Sequence, residues 1–104
     1  MLSLLGMVLL ALGGIGAVAV VHVVCVTIQL LADWFRSRSE RLHTDPDLRA
    51  VTVSESIRNG NVSYIQGLFD TSREQFVESR RIEGKQAEQR VRSAHAHHRV
   101  AVWG

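Results

Sequence analysis

The residue with the clearest chemical potential is His22, which lies in a long stretch without formal charge. No Asp, Glu, Lys or Arg occurs in residues 1–32. An imidazole in such a stretch has three uses: it can hydrogen-bond to another helix, relay protons, or ligate the metal of a haem or chlorophyll through one ring nitrogen. The sequence leaves these uses open. We therefore carry cofactor binding by His22 as a hypothesis and expect no other cofactor site and no dedicated metal site.

Small and polar residues recur through the same stretch at intervals of three or four. On a helix this spacing places them on one face, and a polar side chain that faces lipid is costly. We therefore expect this face to turn toward protein, a pigment or a water-lined space. Two of its members, Gly13 and Ala17, also form a small-x-x-x-small pair, a spacing found where helices pack in lipid. The predicted helix-packing face consists of Ala11, Gly13, Gly14, Ala17, His22, Cys25 and Gln29.

The element expected to carry these residues is a transmembrane helix over residues 1–35. About 20 apolar residues suffice to cross a bilayer as a helix, because lipid offers no partner for an unpaired peptide group. Residues 1–32 would span about 48 Å, so the helix must tilt, protrude or break, and a kink is expected at residues 13–16. A cleaved signal peptide is disfavoured, because no basic residue precedes the apolar run.

The residues after the apolar run predict the orientation of the span. Lys and Arg resist translocation and stay cytoplasmic, and the first of them follow the span. The pattern therefore predicts a single-pass membrane protein with its N-terminus outside and its C-terminal tail in the cytoplasm. The predicted membrane-interface residues are Trp34, Phe35, Arg36, Arg38 and Arg41.

The rest of the chain divides into a charged linker (36–47), a middle segment (48–69) and a charged C-terminal segment (70–104). Two patterns compete in the middle segment: a short helix, and a β-hairpin turning at Asn59-Gly60 that would pair Val53 with Gln66. The C-terminal segment has a capping pattern from Thr71 to Glu74, which predicts a long surface helix. The spacing of Glu78 with Arg81 in that segment also suits a helix. The predicted fold class is thus mainly α: one N-terminal transmembrane helix, followed by a small helical or hairpin-containing tail with a long charged C-terminal helix.

Composition and motifs narrow the function. Twelve basic and ten acidic residues are interspersed, with a net charge of +2, which is typical of a mixed-charge surface rather than a nucleic-acid interface. No phosphate-binding loop, Cys-x-x-Cys or nucleophile motif occurs in the sequence. We therefore expect no enzyme, no nucleic-acid partner and no small-molecule substrate.

The leading interpretation is a non-catalytic single-pass accessory subunit that docks in and stabilises a larger membrane protein complex. Its partners would be membrane proteins of that complex or further copies of itself, together with the lipid bilayer. One alternative is a subunit that ligates haem or chlorophyll through His22. Another is a virus-encoded or lysis-related membrane protein that self-associates through residues 13–17.

Overall fold

The computed structural model describes residues 3–16, 18–55 and 59–104. Short helices and five strands alternate along this part of the chain. In chain order they are α1 (Leu4–Ala11), a 3₁₀ turn (Leu12–Gly14), β1 (Ala19–Val26), α2 (Ile28–Arg36), α3 (Ser39–Thr44), β2 (Leu48–Ser54), β3 (Val62–Asp70), β4 (Gln75–Ala87), α4 (Gln89–Ala94) and β5 (Val100–Trp103). The predicted mainly α fold is therefore wrong, and the fold is α/β.

The five strands form one mixed sheet in the order β1-β4-β3-β2-β5. Strand β1 is parallel to β4, with Ala19 opposite Arg80 and Val26 opposite Ala87. The other neighbouring strands are antiparallel. The predicted transmembrane segment and the predicted C-terminal tail thus belong to a single sheet, because β1 lies in the first and β4 in the second.

Helices cover both faces of this sheet. Successive residues of a strand point to opposite faces, so Ile65 faces α1 while Tyr64 faces α2. We call these the α1 face and the α2 face. The buried core of the α1 face consists of Val8, Val51, Val53, Ile65, Phe69 and Val100. The buried core of the α2 face consists of Val26, Leu31, Tyr64, Ile82, Ala87 and Val91.

The apolar first third forms several elements rather than one helix. Gly16 has a φ of 72°, a left-handed conformation that ends the helical segment at low cost. Beyond it, β-branched valines favour a strand, and α2 begins only after Thr27, whose side chain caps it by accepting a hydrogen bond from Leu30 N at 3.0 Å. A valine-rich strand and a membrane helix both appear in the sequence as continuous apolar runs, which is why the pattern predicts a membrane helix here.

Within the described ranges, no helix combines the length and apolar character that crossing a bilayer requires. The longest, α2, has nine residues. The predicted transmembrane helix over residues 1–35 is therefore wrong, and so is the single-pass topology with an outer N-terminus and a cytoplasmic tail.

In the middle segment the structure has strands, in a register one residue away from the predicted hairpin. Val53 lies opposite Ile65, whereas the sequence pattern pairs it with Gln66. A shift of one residue moves every side chain to the other face. In the observed register Gln66 faces α2, where its buried amide donates a hydrogen bond of 2.9 Å to Leu31 O.

The predicted long C-terminal helix is also wrong, because β4 occupies most of that segment. The expected helix start is a turn instead: the Asp70 carboxylate accepts hydrogen bonds from the backbone N–H groups of Ser72 (2.8 Å) and Arg73 (3.1 Å). Glu74 then adopts a φ of 56°, which leads into β4 rather than into a helix. The only helix formed in residues 75–104 is α4, of six residues.

Candidate functional site

The most unusual surface of the described chain is the outer edge of β1. Strand β1 pairs with β4 on one side and has no strand neighbour on the other in the described sheet. An edge strand leaves alternate backbone N–H and C=O groups unpaired, which makes it a template for another strand. The rest of this site therefore depends on what side chains β1 carries.

Strand β1 is long for an edge strand and carries no formal charge. Its eight residues, AVVHVVCV, include five valines. Natural proteins protect sheet edges with short strands, lysines, prolines or bulges. None of these devices occurs in the sequence of β1, so the edge is chemically open to pairing.

The side chains of β1 differ sharply between the two faces. On the α2 face Val23 packs so closely on β4 that a Cβ added at Gly84 would lie 3.3 Å from its Cγ2. On the α1 face Val20 and Val24 are 43% and 69% exposed. The exposed valines flank His22, whose side chain is 76% exposed.

His22 is the single polar side chain on this part of the α1 face of β1. Its cross-strand partner is Glu83, and the distance from Nδ1 to the Glu83 Oε2 is 3.6 Å. Both groups are exposed, so the pair contributes little to stability. The predicted location of His22 in hydrocarbon is wrong. Cofactor ligation by His22 stays a prediction, and a macrocycle held there would lie largely in solvent.

The predicted helix-packing face does not exist as one face, because no single helix carries it. Its members fall on α1 (Ala11), the 3₁₀ turn (Gly13, Gly14), β1 (His22, Cys25) and α2 (Gln29), while Ala17 lies outside the described residues. Cys25 lies next to Val26, whose side chain is buried in the core of the α2 face. The structure therefore brings only His22, between the two exposed valines, to the candidate site.

The predicted membrane-interface residues lie in the α2–α3 region and contact protein. The Arg38 guanidinium stacks 3.8 Å from the centre of the Trp34 ring and donates hydrogen bonds to Glu78 at 2.6 and 2.8 Å. Arg41 reaches the same carboxylate at 3.1 Å. The hydrogen bonds from Arg38, together with the positive charges of Arg38 and Arg41, lower the pKa of Glu78. The arginines thus attach α2 and α3 to β4.

The other two residues of that set lie beside an apolar groove of about 360 Å³ between the α2–α3 segment and the end of β5. Phe35 and Trp103 line its walls and Arg36 lies at its border. Arg36 pairs with Asp33 at 3.2 Å, and both side chains are exposed. Phe35 and Arg36 thus belong to the nine-residue helix α2 and not to the predicted transmembrane helix.

Thr52, His95 and Trp103 form a partly buried polar trio that the sequence did not predict. Trp103 Nε1 donates a hydrogen bond to the Thr52 hydroxyl, and that hydroxyl lies 2.8 Å from His95 Nε2. His95 Nδ1 lies 2.9 Å from the carbonyl oxygen of Arg99. Because a carbonyl only accepts, Nδ1 carries the ring proton of the neutral imidazole, so Thr52 donates to Nε2. No short-range motif signals this trio, since 43 residues separate Thr52 from His95.

A hydroxyl next to an imidazole is also the arrangement of a nucleophile and its general base. Thr52, however, is completely buried and already accepts a hydrogen bond from Trp103. Burial also lowers the pKa of His95, which keeps the ring neutral. The geometry therefore suits a structural role, the attachment of β5 to β2.

A polar cavity of about 490 Å³ lies beyond α1 on the α1 face, next to the candidate edge. Its principal charges are already paired: Arg81 donates hydrogen bonds of 2.8 and 3.2 Å to the two carboxylate oxygens of Glu55. Burial would raise the pKa of Glu55, but the hydrogen bonds from Arg81 and Ser63 together outweigh it and lower the pKa. The pair links β4 to the residue that follows β2, across the intervening strand β3.

No protein-family model, curated protein or solved structure matches this chain. The functional argument below therefore rests on the geometry of the β1 edge.

Proposed function

We propose that this chain is a non-catalytic assembly module that joins a larger protein complex by adding a strand to the open edge of β1. The observation that carries the proposal is an uncharged edge of eight residues with Val20 and Val24 exposed on it. Strand addition recurs in protein recognition, because main-chain hydrogen bonds provide affinity and alternate side chains provide specificity.

The non-catalytic part of the proposal is supported by the hydrogen-bonding of the most reactive side-chain pair. Thr52 and His95 have suitable spacing for chemistry, but the hydroxyl is inaccessible and fixes Trp103. By contrast, the β1 edge offers exposed apolar surface and unpaired backbone groups at the same place. Such a combination is typical of an interaction site.

The test compares one exposed valine on each edge strand of the sheet. Val24 is 69% exposed on β1, and Val102 is 44% exposed on β5. Wild-type, Val24→Lys and Val102→Lys chains are expressed in turn, and their native size in cell extracts is measured by gel filtration. We expect the wild type and Val102→Lys to elute in an assembly well above the monomer mass of 11.6 kDa. Val24→Lys should elute as a monomer, because a lysine on an edge opposes strand addition.

Far-UV circular dichroism of the purified variants checks that both remain folded. Equal elution of Val24→Lys and Val102→Lys would contradict the proposal, as would a wild-type chain that elutes only as a monomer.

A further inference from the structure

We infer that the strand added to β1 is β1 of a second copy of this chain, antiparallel to it and related by a two-fold axis at His22. This inference rests on the proposed function and names its partner. Closed two-fold dimers are the commonest assemblies of identical chains, and their interfaces must be self-complementary. The sequence of β1 meets this requirement in its shape, apolar surface and charge.

Geometry leaves few registers for such a pair. The axis runs perpendicular to the sheet, so it maps the α1 face of one copy onto the α1 face of the other. Residues directly opposite one another must then share a face. The axis must therefore pass between the two copies of one residue, which lie directly opposite each other. For β1 the central choices are Val21, His22 and Val23.

The exposed valines distinguish these registers. With the axis at His22, Val20 lies opposite Val24 of the second copy, and the reverse pair forms by symmetry. With the axis at Val23, Val20 would lie opposite Val26, whose side chain is completely buried in the core of the α2 face and could not cover it. With the axis at Val21, Val20 would lie opposite His22. Only the register at His22 covers each exposed valine with another, and cross-strand β-branched pairs stabilise a sheet.

The charges near the axis are compatible with the same register. Glu83 is the neighbour of His22 on β4. Across the dimer the row becomes Glu83, His22, His22 of the second copy and Glu83 of the second copy. Two imidazoles separate the two carboxylates, so the carboxylates do not lie directly opposite each other. Like charges directly opposite would destabilise the pair. The apolar surface also continues beside the strand, since Leu10 is 69% exposed and lines a surface depression together with Ala19.

The area of the contact sets the expected strength. Eight residues at about 3.3 Å each give an edge of about 26 Å. A single strand pair is at the small end of specific interfaces, so we expect a reversible dimer.

The first experiment uses Cys25, the one cysteine of the chain, to read the register. In the inferred register the backbone of Cys25 lies across from residue 19 of the second copy, which makes position 19 the nearest site for a second cysteine. The purified full-length Ala19→Cys variant is oxidised and its disulfides are mapped by mass spectrometry. We expect a dimer linked between positions 19 and 25.

The matched control is Val21→Cys, which lies on the same face and would face Cys25 only if the axis were at Val23. We expect it to crosslink to Cys25 at least about tenfold more slowly, because diagonal neighbours are about 7–8 Å apart. Equal rates for the two variants, or faster crosslinking of Val21→Cys, would overturn the inferred register.

The second experiment changes only the sign of the cross-strand charges. The double variants V20K/V24E and V20K/V24K lose the same two valines. In the inferred register the first makes two lysine–glutamate pairs across the dimer, and the second makes two lysine–lysine pairs. By sedimentation velocity on the purified chains we expect V20K/V24E to dimerise at least about tenfold more tightly than V20K/V24K. Equal dissociation constants would overturn the inference.

The two proposals can fail separately. A purified wild-type chain that stays monomeric up to about 1 mM, and an Ala19→Cys variant that forms no crosslink, would exclude the second copy as partner. If gel filtration of cell extracts still showed a large assembly that depends on Val24, the proposed function would survive. If Val24→Lys had no effect in extracts either, both would fail.

Discussion

The two edges of the sheet are built in opposite ways. Strand β5 has four residues, and its Trp103 indole donates a hydrogen bond to Thr52 in the neighbouring strand β2. Strand β1 has eight residues, carries no formal charge and leaves Val24 mostly exposed. A short, internally tied edge ends a sheet, whereas a long, uncharged one invites extension. Because the β1 and β5 edges of the same sheet differ in length and in side chains, the open edge is a property of β1 and not of the fold as a whole.

The largest expected effect concerns the element that holds β1 in place. Leu31 of α2 is 2% exposed and packs in the same cluster as Val26, at the end of β1. Leu31→Ala should lower the free energy of unfolding by about 2–5 kcal/mol, because it leaves a cavity where α2 meets β1. Urea unfolding measures the loss, and hydrogen exchange should show faster exchange in β1 than in β5.

The control for this prediction is Leu10→Ala, since Leu10 is 69% exposed. A change within about 0.5 kcal/mol is expected there. If Leu31→Ala also cost under about 0.5 kcal/mol, α2 would not be the element that secures the open edge.

The second prediction concerns the β5 edge of the sheet. Thr52→Val keeps the shape of the side chain but removes the hydroxyl that Trp103 and His95 share. Leaving these two groups without their partner should lower the free energy of unfolding by about 1–3 kcal/mol. Thr52→Ser keeps the hydroxyl and should lose less. Equal losses for the serine and valine variants, measured in urea, would mean that the trio does not secure β5.

The smallest expected effect is a pH dependence of the free energy of unfolding that arises from His95, next to the β5 edge. Burial lowers the pKa of His95 below its ordinary value of 6.5, so the unfolded chain binds a proton first as the pH falls. Through this group, stability should be constant above about pH 6.5 and fall below it, then level off under the lowered pKa.

His95→Gln removes this titration, so the wild type should lose stability more steeply than this variant between about pH 6.5 and 5. The carboxyl groups of Glu55 and Glu78, whose pKa values are lowered from 4.5, act in a lower pH range. Parallel stability curves for the wild type and His95→Gln over this interval would contradict the role assigned to His95.

Local chemistry was predictable from the sequence where a few neighbouring residues decide it. Asn59 and Gly60 both have positive φ, as the Asn-Gly turn pattern expects. Elsewhere the local spacing of charged residues suited a helix that does not form. The spacing of Glu78 and Arg81 suits a helix, yet Glu78 pairs with Arg38 and Arg41, and Arg81 pairs with Glu55. Ion-pair partners 26 to 40 residues apart leave no trace in local spacing.

By itself the sequence determined that residues 1–32 are uncharged and that the charged residues all lie beyond them. It also placed His22 within that stretch. Only the tertiary structure decided that this stretch lies beside β4 rather than in a bilayer. Burial favours apolar residues in either environment, and the choice depends on whether a distant strand can complete the backbone hydrogen bonds. Here β4, more than 50 residues away along the chain, pairs with one side of β1 and leaves the other side open.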